Sequence, residues 1–217
     1  MFKFLTKPWV PYVFPFLVIL ICTEATFFLP QWRYQLLIAA GVIASTLLFV
    51  WRENLLQDAL PTLWTLQNAA GVITGAILAL AWLALVHFGL STPEPLHLTQ
   101  LWPAPRNYYI IILLTATLGL IIPVVAELFW RSFLLRYFIA QDFKSIPIGT
   151  FNLFAFIMVV VLTALPTGNH TVYLLLSNMA YTGLTFWSKT LYCSIVAHAV
   201  ANLSIMLASL YLGISFY

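Results

Sequence analysis

Apolar residues along the chain come in long unbroken runs, and single charges, prolines or glycines separate one run from the next. The runs fall at about 10–29, 34–51, 68–88, 108–138, 148–165, 171–187 and 190–214. A bilayer-crossing helix needs about 20 predominantly apolar residues. Lipid offers no partners to backbone N–H and C=O groups, so segments of this kind must be helical or close into a barrel. Barrel strands alternate with a period of two, and none of these runs does. The pattern predicts an all-α, polytopic transmembrane helical bundle of about seven spans, or eight, forming a single integral membrane domain over 1–217. Pro123, inside the longest run, should kink its helix. The runs at 148–165 and 171–187 are short enough that the turn between them could dip inward.

Composition sharpens this picture. Of 217 residues, 63% are hydrophobic and 7% charged, against roughly 45–50% and about 25% in an ordinary soluble domain. A soluble globular protein is excluded, and the lipid bilayer is the solvent. The net charge of +3 comes from scattered single residues, so no basic patch marks a nucleic-acid partner. Lys3, Lys7, Arg52, Arg136, Lys144 and Lys189 fall on one side of the predicted bundle and only Arg33 and Arg106 on the other. The positive-inside rule then places the N-terminus in the cytoplasm of a multi-pass protein of the cell inner (plasma) membrane. The first run is as long as a full span and reads as a retained helix rather than a signal peptide. Cys22 and Cys193 sit in apolar runs and suggest neither a disulfide framework nor a metal site; no cofactor is expected. Gly71 and Gly75 form a GxxxG pair, usually a close-packing helix face. The stretch 89–107 holds Pro93, Pro95, Pro103 and Pro105 and cannot be helical throughout. Its Trp102, with Tyr108 and Tyr109, suits an interfacial aromatic belt.

Ionisable residues deep in a span cost about 2.5–3.5 kcal/mol each on insertion scales and so point to function. Glu24, Arg52, Arg136 and Lys189 lie near span ends, where a polar head reaches water over an apolar stem. Glu127 and Arg131 lie deeper, four residues apart on one helix face, and can neutralise each other; an ion pair that merely allows insertion is the plainer reading. His198 and Asn202 share the same spacing among Ala197, Ala199 and Ala201. Two donors converging in a water-poor site suit a developing oxyanion, and an interhelical clamp is the plainer alternative. At about 1.5 Å per residue, Glu127 and His198 each fall roughly 6 Å to the same side of their helix midpoints, with Asn202 near the centre. His170 lies at the turn between the two short runs. His87 and His97 read as surface histidines.

These motifs resemble the glutamate-type intramembrane endopeptidases of the CAAX prenyl protease 2 and bacteriocin-processing (CPBP, or ABI) family. That family's pattern is Glu-Glu-x-x-x-Arg, then Phe-x-x-x-His, then His-x-x-x-Asn or His-x-x-x-Asp. Val125-Ala126-Glu127-Leu128-Phe129-Trp130-Arg131 is similar to the first element. The run from Ser188 to Ala199 resembles the approach to the last, Thr-Gly-Ser-Leu-Trp-x-x-Ile-x-Ala-His-Ala. The motif-bearing core is about 108–214. The resemblance implies peptide hydrolysis without a metal: the first Glu and the middle His activate water, and the final His and Asn, here His198 and Asn202, stabilise the oxyanion. It also implies a peptide or a membrane-tethered protein tail as substrate, and the run-up is most similar to the exosortase-associated branch. Two positions depart from the pattern. Ala126 occupies the place of the catalytic Glu, with Glu127 matching the second. Pro166 stands where the Phe would be, and the spacing puts the middle His nearer Gly168 than His170. Three readings follow for position 126: an inactivating substitution of a native Glu, which is favoured, a natural pseudoenzyme, or Glu127 as the working acid. A membrane binder of immunity or chaperone type is the alternative function. A transporter would need paired half-helices or inverted repeats. No His-Glu-x-x-His zinc motif occurs, and Cys193 lies off the His198 face.

Overall fold

The computed structural model describes residues 6–59, 66–91, 94–95, 104–165 and 170–215. Eight helices account for most of them: α1 (Val10–Phe28), α2 (Arg33–Val50), α3 (Arg52–Ala59), α4 (Leu66–His87), α5 (104–137), α6 (Leu153–Ala164), α7 (Thr171–Ser188) and α8 (Leu191–Leu212). The chain is a helical membrane bundle. Each predicted apolar run becomes a helix, because in lipid an apolar run has no other way to satisfy its backbone. Among the described residues, five helical stretches are long and apolar enough to cross a bilayer: Val10–Phe28, Pro30–Val50, Leu66–His87, Tyr108–Tyr137 and Leu191–Leu212. The other two predicted spans differ. Helix α6 has only 12 residues, and α7 buries Ser177, Asn178, Thr182, Thr185 and Ser188 on its inner face. Helix α3 was not foreseen, since its polar sequence carries no apolar run. Within the proline-rich stretch, α5 already begins at Ala104, and Glu94–Pro95 pairs antiparallel with Ile214–Ser215. Trp102 lies outside the described residues, whereas Tyr108 and Tyr109 are exposed near the start of α5.

Helices α4 and α8 form the closest pair of the bundle, and the glycines explain why. A Cβ at Gly71 would stand 2.8 Å from the Cys193 carbonyl oxygen, and one at Gly75 would meet the Ala197 carbonyl and Val200. Only hydrogen at these positions lets the two backbones approach so closely. The GxxxG face is therefore used inside the chain. Trp82, Tyr181, Ala197, Ala201 and Ile205 fill the core beside it.

Pro123 disturbs α5 as expected, but through a π turn. Over Thr117–Ile121 the helix widens, and the Ile122 N–H donates to the Thr117 carbonyl, five residues back. A second π turn follows at Leu128–Leu134. Single π turns inside α-helices relieve local conflicts and often accompany functional positions.

At the end of the bundle that carries the N-terminus, Arg136 departs from the expected solvated side chain. It is 4% exposed, and its Nη2 donates to Asp58 Oδ2 of α3 at 2.6 Å. The same oxygen accepts from Tyr12 of α1 at 2.8 Å and from Ser132 of α5 at 2.6 Å.

Candidate active site

The site is built on α5, whose turn around residues 127–131 presents a carboxylate and a guanidinium inward. Arg131 Nη1 donates to Glu127 Oε1 at 3.1 Å, and both side chains are almost fully buried. Each charge is too costly to bury alone, so each requires the other. Helix α7 completes the guanidinium's shell: Nη2 donates to Asn178 Oδ1 at 2.5 Å and to the Asn178 carbonyl at 3.3 Å, and Nε donates to Thr182 Oγ1 at 3.3 Å. The planar five-donor fork of arginine suits such a divided set of acceptors. Thr182 in turn donates to the Asn178 carbonyl at 2.7 Å.

Helix α8 brings His198 to the same carboxylate, with Nδ1 2.9 Å from Glu127 Oε1. The Tyr181 ring stacks on the imidazole, with centroids 4.7 Å apart and planes 15° apart. The Arg131 guanidinium lies 5.5 Å from the centroid of that ring. Residues from α5 and α8 thus form one chain, Arg131–Glu127–His198, braced by Tyr181 of α7. Glu127 Oε2 is buried with no hydrogen bond among the described residues.

Asn202, one turn further along α8, is 6% exposed and donates through Nδ2 to the Leu118 carbonyl at 2.8 Å. That carbonyl belongs to the first π turn. In the register set by Ile122, its partner would be the nitrogen of Pro123, which carries no hydrogen. Asn202 supplies the missing donor and keeps a second N–H for another acceptor.

The structure does not bring His170 to this cluster. His170 precedes the first residue of α7, and its Nδ1 lies 2.8 Å from Ser91 Oγ, just beyond α4. Eleven residues separate it from Tyr181, roughly 16 Å along the helix at about 1.5 Å per residue. Burial at the start of α7 holds the imidazole below its ordinary pKa. Ala126 is half-buried beside Glu127. Successive helical residues diverge by roughly 100°, so Ala126 shares the side of Trp130, which packs with Leu135, Ala155 and Val159 toward α6.

The Asp58–Tyr12–Ser132–Arg136 cluster is a buried polar group that sequence reasoning missed. Its one available signal was the placement of Asp58 in a stretch otherwise assigned to a loop.

Residues 108–204 match a family model described as type II CAAX prenyl endopeptidase Rce1-like. No curated protein and no solved structure matches the chain. The matched stretch runs from α5 through α7 and into α8, the three helices that contribute Glu127, Arg131, Tyr181, His198 and Asn202. Over residues 108–204 this multi-pass membrane protein is similar to the Rce1-like family of type II CAAX prenyl endopeptidases.

Proposed function

We propose that the chain is an intramembrane endopeptidase scaffold of the CAAX protease type, that it receives a peptide or the tail of a membrane-tethered protein, and that the residue at 126 decides whether it cleaves. The observation that carries this reading is the commitment of Glu127. Its Oε1 accepts from both Arg131 and His198, so it holds two other groups in place instead of standing free beside a water. The chain has six acidic residues, and among the described ones the partly exposed Asp58 is bound to Tyr12, Ser132 and Arg136. A glutamate-driven route therefore needs its acid at position 126. Asn202, with its remaining N–H, is assigned to the oxygen of the attacked carbonyl. His170 receives no role here because of its place beside Ser91. The excess of Lys and Arg at the N-terminal end supports a cytoplasmic N-terminus in the inner membrane.

Restoring an acid tests this directly. General-base assistance contributes typically about 10²–10⁴-fold, and Ala126→Glu is expected to raise cleavage of a membrane-tethered peptide tail by a factor in that range. No cleavage by either form, with both folded in nanodiscs, rejects the protease reading. The same commitment of Glu127 favours a second reading, a silent binder of hydrophobic tails. That reading expects tail binding to persist in His198→Ala and Ala126→Glu to add no cleavage.

A further inference from the structure

We infer that Phe16, Phe129 and Trp130 form an aromatic gate on the lipid side of position 126, and that a membrane-tethered tail reaches the site between α1 and α6 when it opens. The gate rests on geometry alone, whereas the tail as what passes it rests on the proposed function.

Position 126 lies on the side of α5 that these rings cover. Long side chains on a helix lean toward its N-terminus, over the turn before their own. Phe129 and Trp130 follow Ala126 by three and four residues, so both lean over it. Phe16 of α1 meets them from across the seam. Its ring stacks on Phe129 with centroids 3.8 Å apart and planes 2° apart, and it meets Trp130 edge-on at 5.4 Å. Phe129 and Trp130 are themselves in contact at 4.9 Å. On its other flank Trp130 packs against Ala155 and Val159 of α6. One indole therefore bridges α1 and α6 and closes the seam between them.

The seam faces acyl chains. All three rings and Ala126 are half-buried, and Leu17 and Leu20 of α1 and Ile157 of α6 stand exposed around them. Phe16, Phe129, Trp130, Ala155 and Val159 carry no charge, so an apolar side chain passes this wall without the penalty that a charged one meets in lipid.

The gate is held shut weakly. A face-to-face sandwich is the arrangement that aromatic pairs favour less than offset or edge-on contact, and the Phe16–Phe129 pair is close to one. Both sides also sit on interrupted helix. Pro15, next to Phe16, has no N–H to donate to the Pro11 carbonyl, and Phe129 and Trp130 lie in the second π turn. About one turn to either side α1 is fixed, by Tyr12 bound to Asp58 at 2.8 Å and by Ile19 packed with Val125. Opening is therefore a rotation of rings, with the helix staying in place.

Access to position 126 tests the gate without any need for cleavage. The full chain carrying Cys22→Ala, Cys193→Ala and Ala126→Cys is placed in nanodiscs and treated with N-(1-pyrenyl)maleimide dissolved in the bilayer. Phe16→Ala and Trp130→Ala each remove two of the three ring pairs, and each should speed labelling about 10-fold. Phe16→Leu, the milder change, should give a smaller rise. In a parallel series, Cys193→Ala keeps Cys22 as the only thiol, on α1 beyond Phe16, and its labelling rate should not move. An unchanged rate at position 126 in both alanine variants overturns the gate, and so does an equal rise at Cys22, which would mean that α1 as a whole had loosened.

Passage of the tail is tested in Cys22→Ala/Cys193→Ala/Ala126→Glu. Phe16→Cys and Phe129→Cys are added and joined by 1,2-ethanediyl bismethanethiosulfonate. Cleavage of an acylated peptide tail should be lost on crosslinking and return on reduction. Undiminished cleavage by the crosslinked form overturns entry by this route. Absence of cleavage before crosslinking would reject the protease reading and leave the labelling result standing.

Discussion

Arg131 is the residue on which the charge balance of the site turns. Its guanidinium is 1% exposed and serves Glu127, Asn178 and Thr182 at once. Arg131→Met would leave the Glu127 carboxylate buried opposite a neutral chain. Removing one partner of a buried ion pair costs about 3–5 kcal/mol, whereas replacing both with apolar groups of similar volume is often close to neutral. Arg131→Met should therefore lower unfolding stability in mild detergent by that amount, and adding Glu127→Leu should recover more than half of the loss. If the double variant is less stable than Arg131→Met alone, charge pairing is not what holds these residues. Arg131→Lys should rescue only in part, because one ammonium cannot reproduce a planar fork spread over three acceptors.

Within α5, the departures from regular helix are what place the side chains. The first π turn frees the Leu118 carbonyl because Pro123 offers no hydrogen, and Asn202 of α8 fills the gap at 2.8 Å. An unsatisfied buried acceptor costs about 1–3 kcal/mol, so Asn202→Leu should destabilise by that much in the native sequence. Pro123→Ala restores a backbone donor next in register, and in that background the cost of Asn202→Leu should fall by at least half. Equal costs in both backgrounds, measured as a double-mutant cycle, would show that Asn202 acts elsewhere. This coupling marks the limit of what the sequence makes legible. The helices of the apolar runs are readable, since such runs in lipid leave no alternative, whereas the polar α3 is not. The i, i+4 spacing of Glu127 with Arg131 and the matched depths of Glu127 and His198 pointed to a meeting that the structure shows at 2.9 Å. Pro123 announced a kink, but a choice between kink and π turn depends on whether another helix brings a donor, and the α5 sequence alone does not contain that. Asn178, Thr182 and Tyr181 were overlooked for a related reason: a lone polar residue in a span has no visible partner until α7 is docked. His170 was drawn toward the site by the length of the runs around it, whereas the place of its helix start holds it at Ser91.

For the whole molecule, the decisive question is what keeps the N-terminal helices attached to the motif-bearing half. Glycine contacts hold α4 to α8 near the site, while at the N-terminal end one Asp58 oxygen collects Tyr12 from α1 and Ser132 and Arg136 from α5. Ser132 follows Arg131 directly within the second π turn, so this clasp and the catalytic candidate share a backbone segment. Arg136 also donates through Nη1 to the Ile146 carbonyl and through Nε to the Ser132 carbonyl, which fixes the guanidinium from several directions. Asp58→Ala would leave that buried cation without its carboxylate, and a loss of about 3–5 kcal/mol is expected by the rule for broken buried pairs. Asp58→Asn keeps an accepting oxygen and should cost less. Because Asp58 is the polar anchor of α3, its loss should also release that helix. Trypsin cleavage after Arg52, which is exposed on α3, should accelerate in Asp58→Ala and Arg136→Met alike, with the double variant no faster than the quicker single. If α3 stays protected in Asp58→Ala and stability falls by less than about 1 kcal/mol, the range of an exposed pair, then apolar packing of Leu55 with Tyr12, Leu128 and Phe143 is enough to join the two halves.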